Sequence, residues 1–199
     1  MMTAPDLFGA LAPFLAPRLE AKFGRRDLCI LATRVALDVA EYFRIPARPV
    51  AVRAIAYNAE FAARVASGGD FSGDWKSDGS YSVGIGYGKT PGKWTGHLIA
   101  AADGVFADFS IGQAEREQYG IITGRALVGP WTGADLWKAS NDRGTVVEYQ
   151  LLADDEYLRA PDWCDRKRRR GIVGELIRRV RNAQKSYIPQ FPKGIISES

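Results

Sequence analysis

The chain has 199 residues, of which 46% are hydrophobic and 11% aromatic, enough to bury the core of one domain. Its net charge is +4, and two cysteines with a single histidine leave too few soft ligands for a structural zinc site. No apolar run approaches the roughly 18 residues of a membrane-spanning helix. The first residues, Met1-Met2-Thr3-Ala4-Pro5-Asp6, lack the basic region of a signal peptide, so a soluble cytoplasmic protein with no membrane contact is expected. In that compartment Cys29 and Cys164 are expected to stay unpaired.

The N-terminal segment, 1–24, reads as helical over 5–23 in two pieces, with Pro5 and Pro13 each acceptable at a first helical position. Leu7, Leu11, Phe14, Leu15 and Leu19 form its apolar stripe, and Gly24 is the expected stop. A second helix is predicted from Leu28 to Phe43, with Asp27 as its N-cap. Leu28, Leu31, Val35, Val39 and Tyr42 recur at helical spacing, and Ile30, Ala32, Ala36, Leu37, Ala40 and Phe43 fill most of what remains. A helix apolar nearly all round belongs in the middle of a domain. It ends before Ile45-Pro46, because the residue preceding a proline is pushed out of the helical region.

Arg48 to Asn58 reads as a strand, and 67–80, rich in Gly, Ser and Asp, as a long loop. Tyr81 to Tyr87 is a glycine-rich strand, and Lys89 to Lys93 a further loop. Between Trp94 and Phe109 lies the clearest hairpin: Asp103-Gly104 is a favoured two-residue turn between Ile99-Ala100-Ala101-Ala102 and Val105-Phe106-Ala107. Arg125 to Val128 and Thr145 to Leu152 are two further strands. Helices followed by an antiparallel meander make an α+β domain. A single domain over 1–199 is expected, with its core over 25–160 and a basic helix and tail over 161–199.

The charge is concentrated in that last segment. Asp165 to Lys185 holds nine basic and two acidic residues and so carries +7, leaving −3 for everything else. Ile172, Val173, Leu176, Ile177 and Val180 give the helix an apolar stripe for docking on the domain, which makes the arginines a solvated face. The alternative function of the chain, a non-catalytic module, rests on this helix. Clustered Lys and Arg are the electrostatic footprint of a nucleic acid or an acidic partner, although no nucleic-acid motif accompanies them.

Three residues point to chemistry. Cys29 falls in the first turn of the central helix, where unpaired N–H groups and the macrodipole favour a thiolate; such a thiol is expected to ionise below the roughly 8.5 of free cysteine. His97 and Asp108 lie on opposite arms of the hairpin. If Asp103 and Gly104 are the loop, Ala102 pairs with Val105 and His97 with Ser110. Asp108 is then the diagonal neighbour of His97 on the same face, roughly 7 Å away between backbones. An odd slip in register would put the two on opposite faces. Nucleophile, base and orienter are the parts of covalent acyl transfer.

Asp27-Leu28-Cys29, Thr95-Gly96-His97-Leu98 and Phe106-Ala107-Asp108-Phe109, in that order over about residues 25 to 112, resemble the transglutaminase-like branch of the papain-like cysteine peptidase superfamily. The same order occurs in the arylamine N-acetyltransferases. The resemblance implies a papain/transglutaminase-like fold, with the early helix packed centrally on the antiparallel sheet, and a catalytic triad of Cys29, His97 and Asp108. Ile30 and Leu98 stand where transglutaminase-like sequences usually carry aromatic residues, and the hairpin is shorter than usual. The expected activity is a cysteine hydrolase or acyltransferase acting on a peptide, protein or small amide, ester or thioester, by hydrolysis, deamidation or transamidation. This chemistry calls for no metal or organic cofactor. The backbone N–H of Cys29 is the natural first donor to an oxyanion, and Gln113 is the candidate for a second. Trp94 and Tyr81 are placed to line the cleft. Cys164, beside Trp163 with no second histidine to pair with, reads as structural.

Overall fold

The structure, a computed structural model, describes residues 2–24, 28–69, 78–87 and 94–186, apart from the side chains of 184–186. Two helices open the chain, α1 (Ala4–Leu11) and α2 (Leu15–Phe23). Thr3 and Asp6 close a capping box around the start of α1, with Pro5 in its first turn. Contrary to expectation, Pro13 lies between the helices, and Pro17 takes a place in the first turn of α2. A proline is tolerated there because the first four N–H groups of a helix have no intrahelical partner. Gly24 ends α2 in the left-handed region at φ 68°, its N–H donating to the Glu20 carbonyl.

Helix α3 (Cys29–Tyr42) is central, as its periodicity predicts: Leu31, Val35, Ala36, Val39 and Ala40 are buried along it. The expected cap, Asp27, lies outside the described residues, and Leu28 takes the N-cap position with no side-chain hydrogen bond. Strand β1 (Arg48–Tyr57) follows, then α4 (Ala59–Ala66), a helix that was not expected and none of whose residues is buried. Of the loops expected over 67–80 and 89–93, residues 70–77 and all of 89–93 lie outside the described residues.

The remaining strands are β2 (Ser82–Ile85), β3 (His97–Ala102), β4 (Val105–Asp108), β5 (Leu127–Pro130), β6 (Leu136–Ser140) and β7 (Val146–Leu151). All pairings are antiparallel. The order β5-β4-β3-β1-β7-β6, with β2 beside the second half of β1, is a correction to a simple meander: the first strand sits between the third and the last. Strand β6 was not expected, and β5 starts two residues later than predicted. The sheet curls into a nearly closed barrel. Trp131, just past β5, and Trp137 on β6 bring its two edges to a ring separation of 6.1 Å.

The chain closes with α5 (Pro161–Cys164) and α6 (Arg166–Ser186). Side-chain alternation gives the sheet two faces. Ala100, Ala102 and Ala107 face α1, α3 and α6, and their small side chains let the helices approach closely. Val52, Ala54, Ile99, Phe106 and Tyr149 fill the barrel interior. Among the described residues, no helix is long and apolar enough to cross a membrane.

Candidate active site

The site is built at the seam between these two layers. Asp103 and Gly104 form the turn with φ values of 46° and 75°, the left-handed pair that an Asp-Gly hairpin uses. Ala102 pairs with Val105, Ala101 with Phe106 and Ala100 with Ala107, which is the predicted register. Parity then puts His97 and Asp108 on the barrel side of the sheet, and His97 Nε2 lies 2.7 Å from Asp108 Oδ2. Both side chains are 0% exposed. The expected His97–Ser110 pair is replaced by a turn: the Ser110 N–H donates to Asp108 Oδ1 at 3.0 Å, and its hydroxyl donates to the same oxygen at 3.3 Å. The ladder with β3 ends at Ala107 for that reason.

One carboxylate therefore holds two structures together. Its Oδ1 caps the exit from β4, and its Oδ2 accepts from the imidazole and from the Tyr149 hydroxyl at 3.1 Å. Tyr149 reaches it from β7 across the barrel, where Ala54 opposite leaves room for the ring. Burial, then the neighbouring Asp108 charge, pushes the Tyr149 phenol well above its ordinary value, so it stays a donor.

Cys29 is the first residue of α3 and is half-buried, and its thiol lies close enough to the His97 ring to help raise the imidazole pKa. One turn along the helix, the Thr33 hydroxyl donates to the Leu98 carbonyl at 2.8 Å in a buried contact. That bond fastens α3 to β3 one residue beyond His97 and so sets the distance between thiol and imidazole. The other ring nitrogen, Nδ1, lies 3.2 Å from Gln113 Nε2. Gln113 arrives on a 3₁₀ turn, Ile111–Ala114, that the chain enters immediately after Asp108. Burial alone would lower the His97 pKa; the Asp108 charge and hydrogen bond, with the Cys29 contact, outweigh it and push the imidazole up to about 10.

Around the thiol lies an apolar cluster of Ile30, Trp94, Leu98, Leu152, Tyr157 and Trp163. The Trp94 indole donates to Asp154 at 2.8 Å and meets Tyr157 edge-on at 5.5 Å. Gly96 is needed here: a Cβ on it would clash with Trp94 Cζ2 and force the indole to shift. Tyr81, expected at the cleft, instead stacks on Tyr119 at 4.4 Å as part of the barrel cluster. Cys164 is exposed, and its thiol donates to the Leu158 carbonyl at 3.2 Å; both cysteines are free.

The structure thus brings Cys29, His97 and Asp108 together with Gln113, and adds Thr33 and Tyr149, which sequence reasoning passed over. Nothing in the sequence ties Tyr149 to a residue 41 positions earlier, and Thr33 lies among buried helix positions. Among the described residues, no group of three His, Cys, Asp or Glu side chains could hold a metal ion. Set against known proteins, the chain matches no family model, no curated protein and no solved structure.

Proposed function

We propose that this protein is a cysteine-dependent acyl-transfer enzyme of papain/transglutaminase-like fold, with Cys29 as nucleophile, His97 as base and Asp108 as orienter. The observation that carries the reading is the buried imidazole itself. Its Nε2 is given to Asp108, and its ring also meets a thiol at a helix N-terminus. The order of the three residues in the chain, the helix docked on the start of β3 and the antiparallel, nearly closed sheet support the same assignment.

The chemistry runs through Nδ1. With Nε2–H donated to Asp108, the raised pKa of the imidazole keeps on Nδ1 the proton taken from the Cys29 thiol, and the sulfur forms a bond to the substrate carbonyl carbon. The carbonyl π pair moves onto oxygen, where the Cys29 backbone N–H is its first donor. Collapse of this intermediate breaks the bond to the leaving amine, alcohol or thiol, which departs with the proton from Nδ1. Water or an amine then loses a proton to Nδ1 and attacks the thioester, and the sulfur leaves as the thiolate. Hydrolysis, deamidation and transamidation differ only in that second nucleophile.

Mass spectrometry after incubation with an activated acyl ester tests this. An acyl group on the Cys29 peptide, absent in Cys29→Ala and strongly slowed in His97→Ala, is expected. Acylation confined to Cys164, or equal at Cys29 with and without His97, would overturn it.

A further inference from the structure

Helix α6 spends its two sides differently. Ile172, Leu176 and Val180 are fully buried against α1 and α3, at roughly 1.5–3 kcal/mol for each side chain, so the helix is held in a fixed rotation on the domain. The cations nearest that seam are used inside the protein. Arg169 pairs with Asp38 at 2.5 Å, Arg168 with Asp162, and Arg179 with Glu175, which also takes Arg18.

Among the described residues, the outer side has no such partners. At about 100° per residue, Arg166, Lys167, Arg170, Arg178 and Arg181 fall within an arc of about 120°, and the row from Arg166 to Arg181 is about 22 Å long. All five are exposed. Among the described residues none forms an ion pair with any of them, and only Arg181 has a neighbour of note, the Tyr42 ring at 5.0 Å. The one acidic residue inside the helix, Glu175, points away and is already paired twice. Gly171 and Gly174 interrupt the row, and a Cβ on Gly171 would meet nothing within 4 Å. The backbone there is open to close approach.

From this we infer that the outer face of α6 binds the phosphodiester backbone of duplex nucleic acid without reading its sequence. Charge complementarity favours a regular polyanion: five uncompensated cations in a straight row, four of them arginines, whose planar fork suits two phosphate oxygens. An anionic membrane is the poorer fit, since a helix lying in a lipid surface inserts an apolar face, and α6 has already buried its own. An acidic protein is also the poorer fit, because interfaces of that kind are anchored by buried aromatic or aliphatic side chains, and Ile177, the apolar side chain described within the arc, already packs against the core of the domain. Among the described side chains the arc offers no Asn or Gln for base edges, so affinity would come from phosphates alone.

Fluorescence anisotropy with a labelled duplex DNA of mixed sequence, across a KCl series, tests this on the whole chain. Five phosphate contacts give a slope of log affinity on log salt of about −4.5, so binding should weaken roughly 500-fold between 50 and 200 mM KCl. In the triple variant Arg166→Ala, Arg170→Ala, Arg178→Ala, two contacts remain, and the same change in salt should cost only about 12-fold. The three Arg→Lys replacements keep the charges and should keep the steep slope, which separates loss of charge from loss of structure. No binding at 50 mM KCl would overturn the inference, and so would a triple alanine variant that binds like the parent. Retention on phosphatidylserine vesicles with none on the duplex would assign the face to membranes instead.

Discussion

Asp108 shows how a turn cap and a contact to a buried imidazole coexist in a single side chain. An aspartate at a strand end commonly caps a turn, and Oδ1 does so by accepting from the Ser110 N–H; Oδ2 is left for His97 and Tyr149. Gln113 has the complementary property. A terminal amide can present its NH₂ to a neutral Nδ1 or its carbonyl oxygen to a protonated one, so it satisfies a buried imidazole in either state. A base that must cycle between those states without water around it needs such a neighbour. Gln113→Glu offers only an acceptor, and a negative one, so it should hold the ring as imidazolium to still higher pH than in the parent. Deacylation needs the free base, so the acid limb of the kcat profile should move to higher pH and turnover near neutrality should fall by about 10²-fold. Gln113→Ala should lower kcat by about tenfold without moving that limb upward. Profiles that overlay the parent's in both variants would remove Gln113 from the site.

At the scale of elements, the hairpin and α3 were legible, and for different reasons. The Asp103-Gly104 turn fixes register, and register fixes parity, so two residues eleven apart were placed on one face from the sequence alone. In α3 the period of the apolar residues gave the buried faces. By contrast, α4 buries no residue and was missed, although Asn58 marks its start, its side chain accepting from the Phe61 N–H as an N-cap. Edge strand β6 has exposed Leu136 and Lys138 on one side and was lost among polar neighbours. What no pattern encodes is how α3 is fastened to β3, and there Thr33 is decisive. Thr33→Val keeps the shape but leaves the buried Leu98 carbonyl without its donor, at about 1–3 kcal/mol. For a chain of this size that is a fall in Tm of about 2–12 °C. Because the bond sits one residue from His97, acylation of Cys29 in the folded variant should slow as well. A thermal melt and single-turnover acylation on the same sample check both; a destabilised protein with unchanged acylation would make Thr33 a packing residue only.

In the whole molecule, the helical layer and the barrel are joined through a buried charge. Asp108 touches β3 through His97 and β7 through Tyr149, and the Cys29 thiol of α3 acts electrostatically on the same imidazole, so one cluster spans both layers. Its stability must then follow the protonation of His97. In the folded chain the imidazole holds its proton to about pH 10, whereas an ordinary histidine loses it near 6.5. A raised pKa means that the folded state binds the proton more tightly than the unfolded chain does. The resulting stabilisation is complete below about pH 6.5 and drains away as the pH rises through about 10. Asp108→Asn removes the chief source of that preference and leaves the neighbouring donors facing a neutral amide. At pH 6.5 the variant should be less stable than the parent by about 3–5 kcal/mol, the usual cost of breaking a buried pair from one side. As the pH approaches 10 the two should converge, because the parent has by then lost the proton that Asp108 was holding. Groups elsewhere that titrate in this window do so in both proteins and cancel in the difference. Urea midpoints for parent and variant across that range would measure the gap, and a gap that stays constant with pH would show that Asp108 supports the fold through its turn alone, with no charge shared with His97.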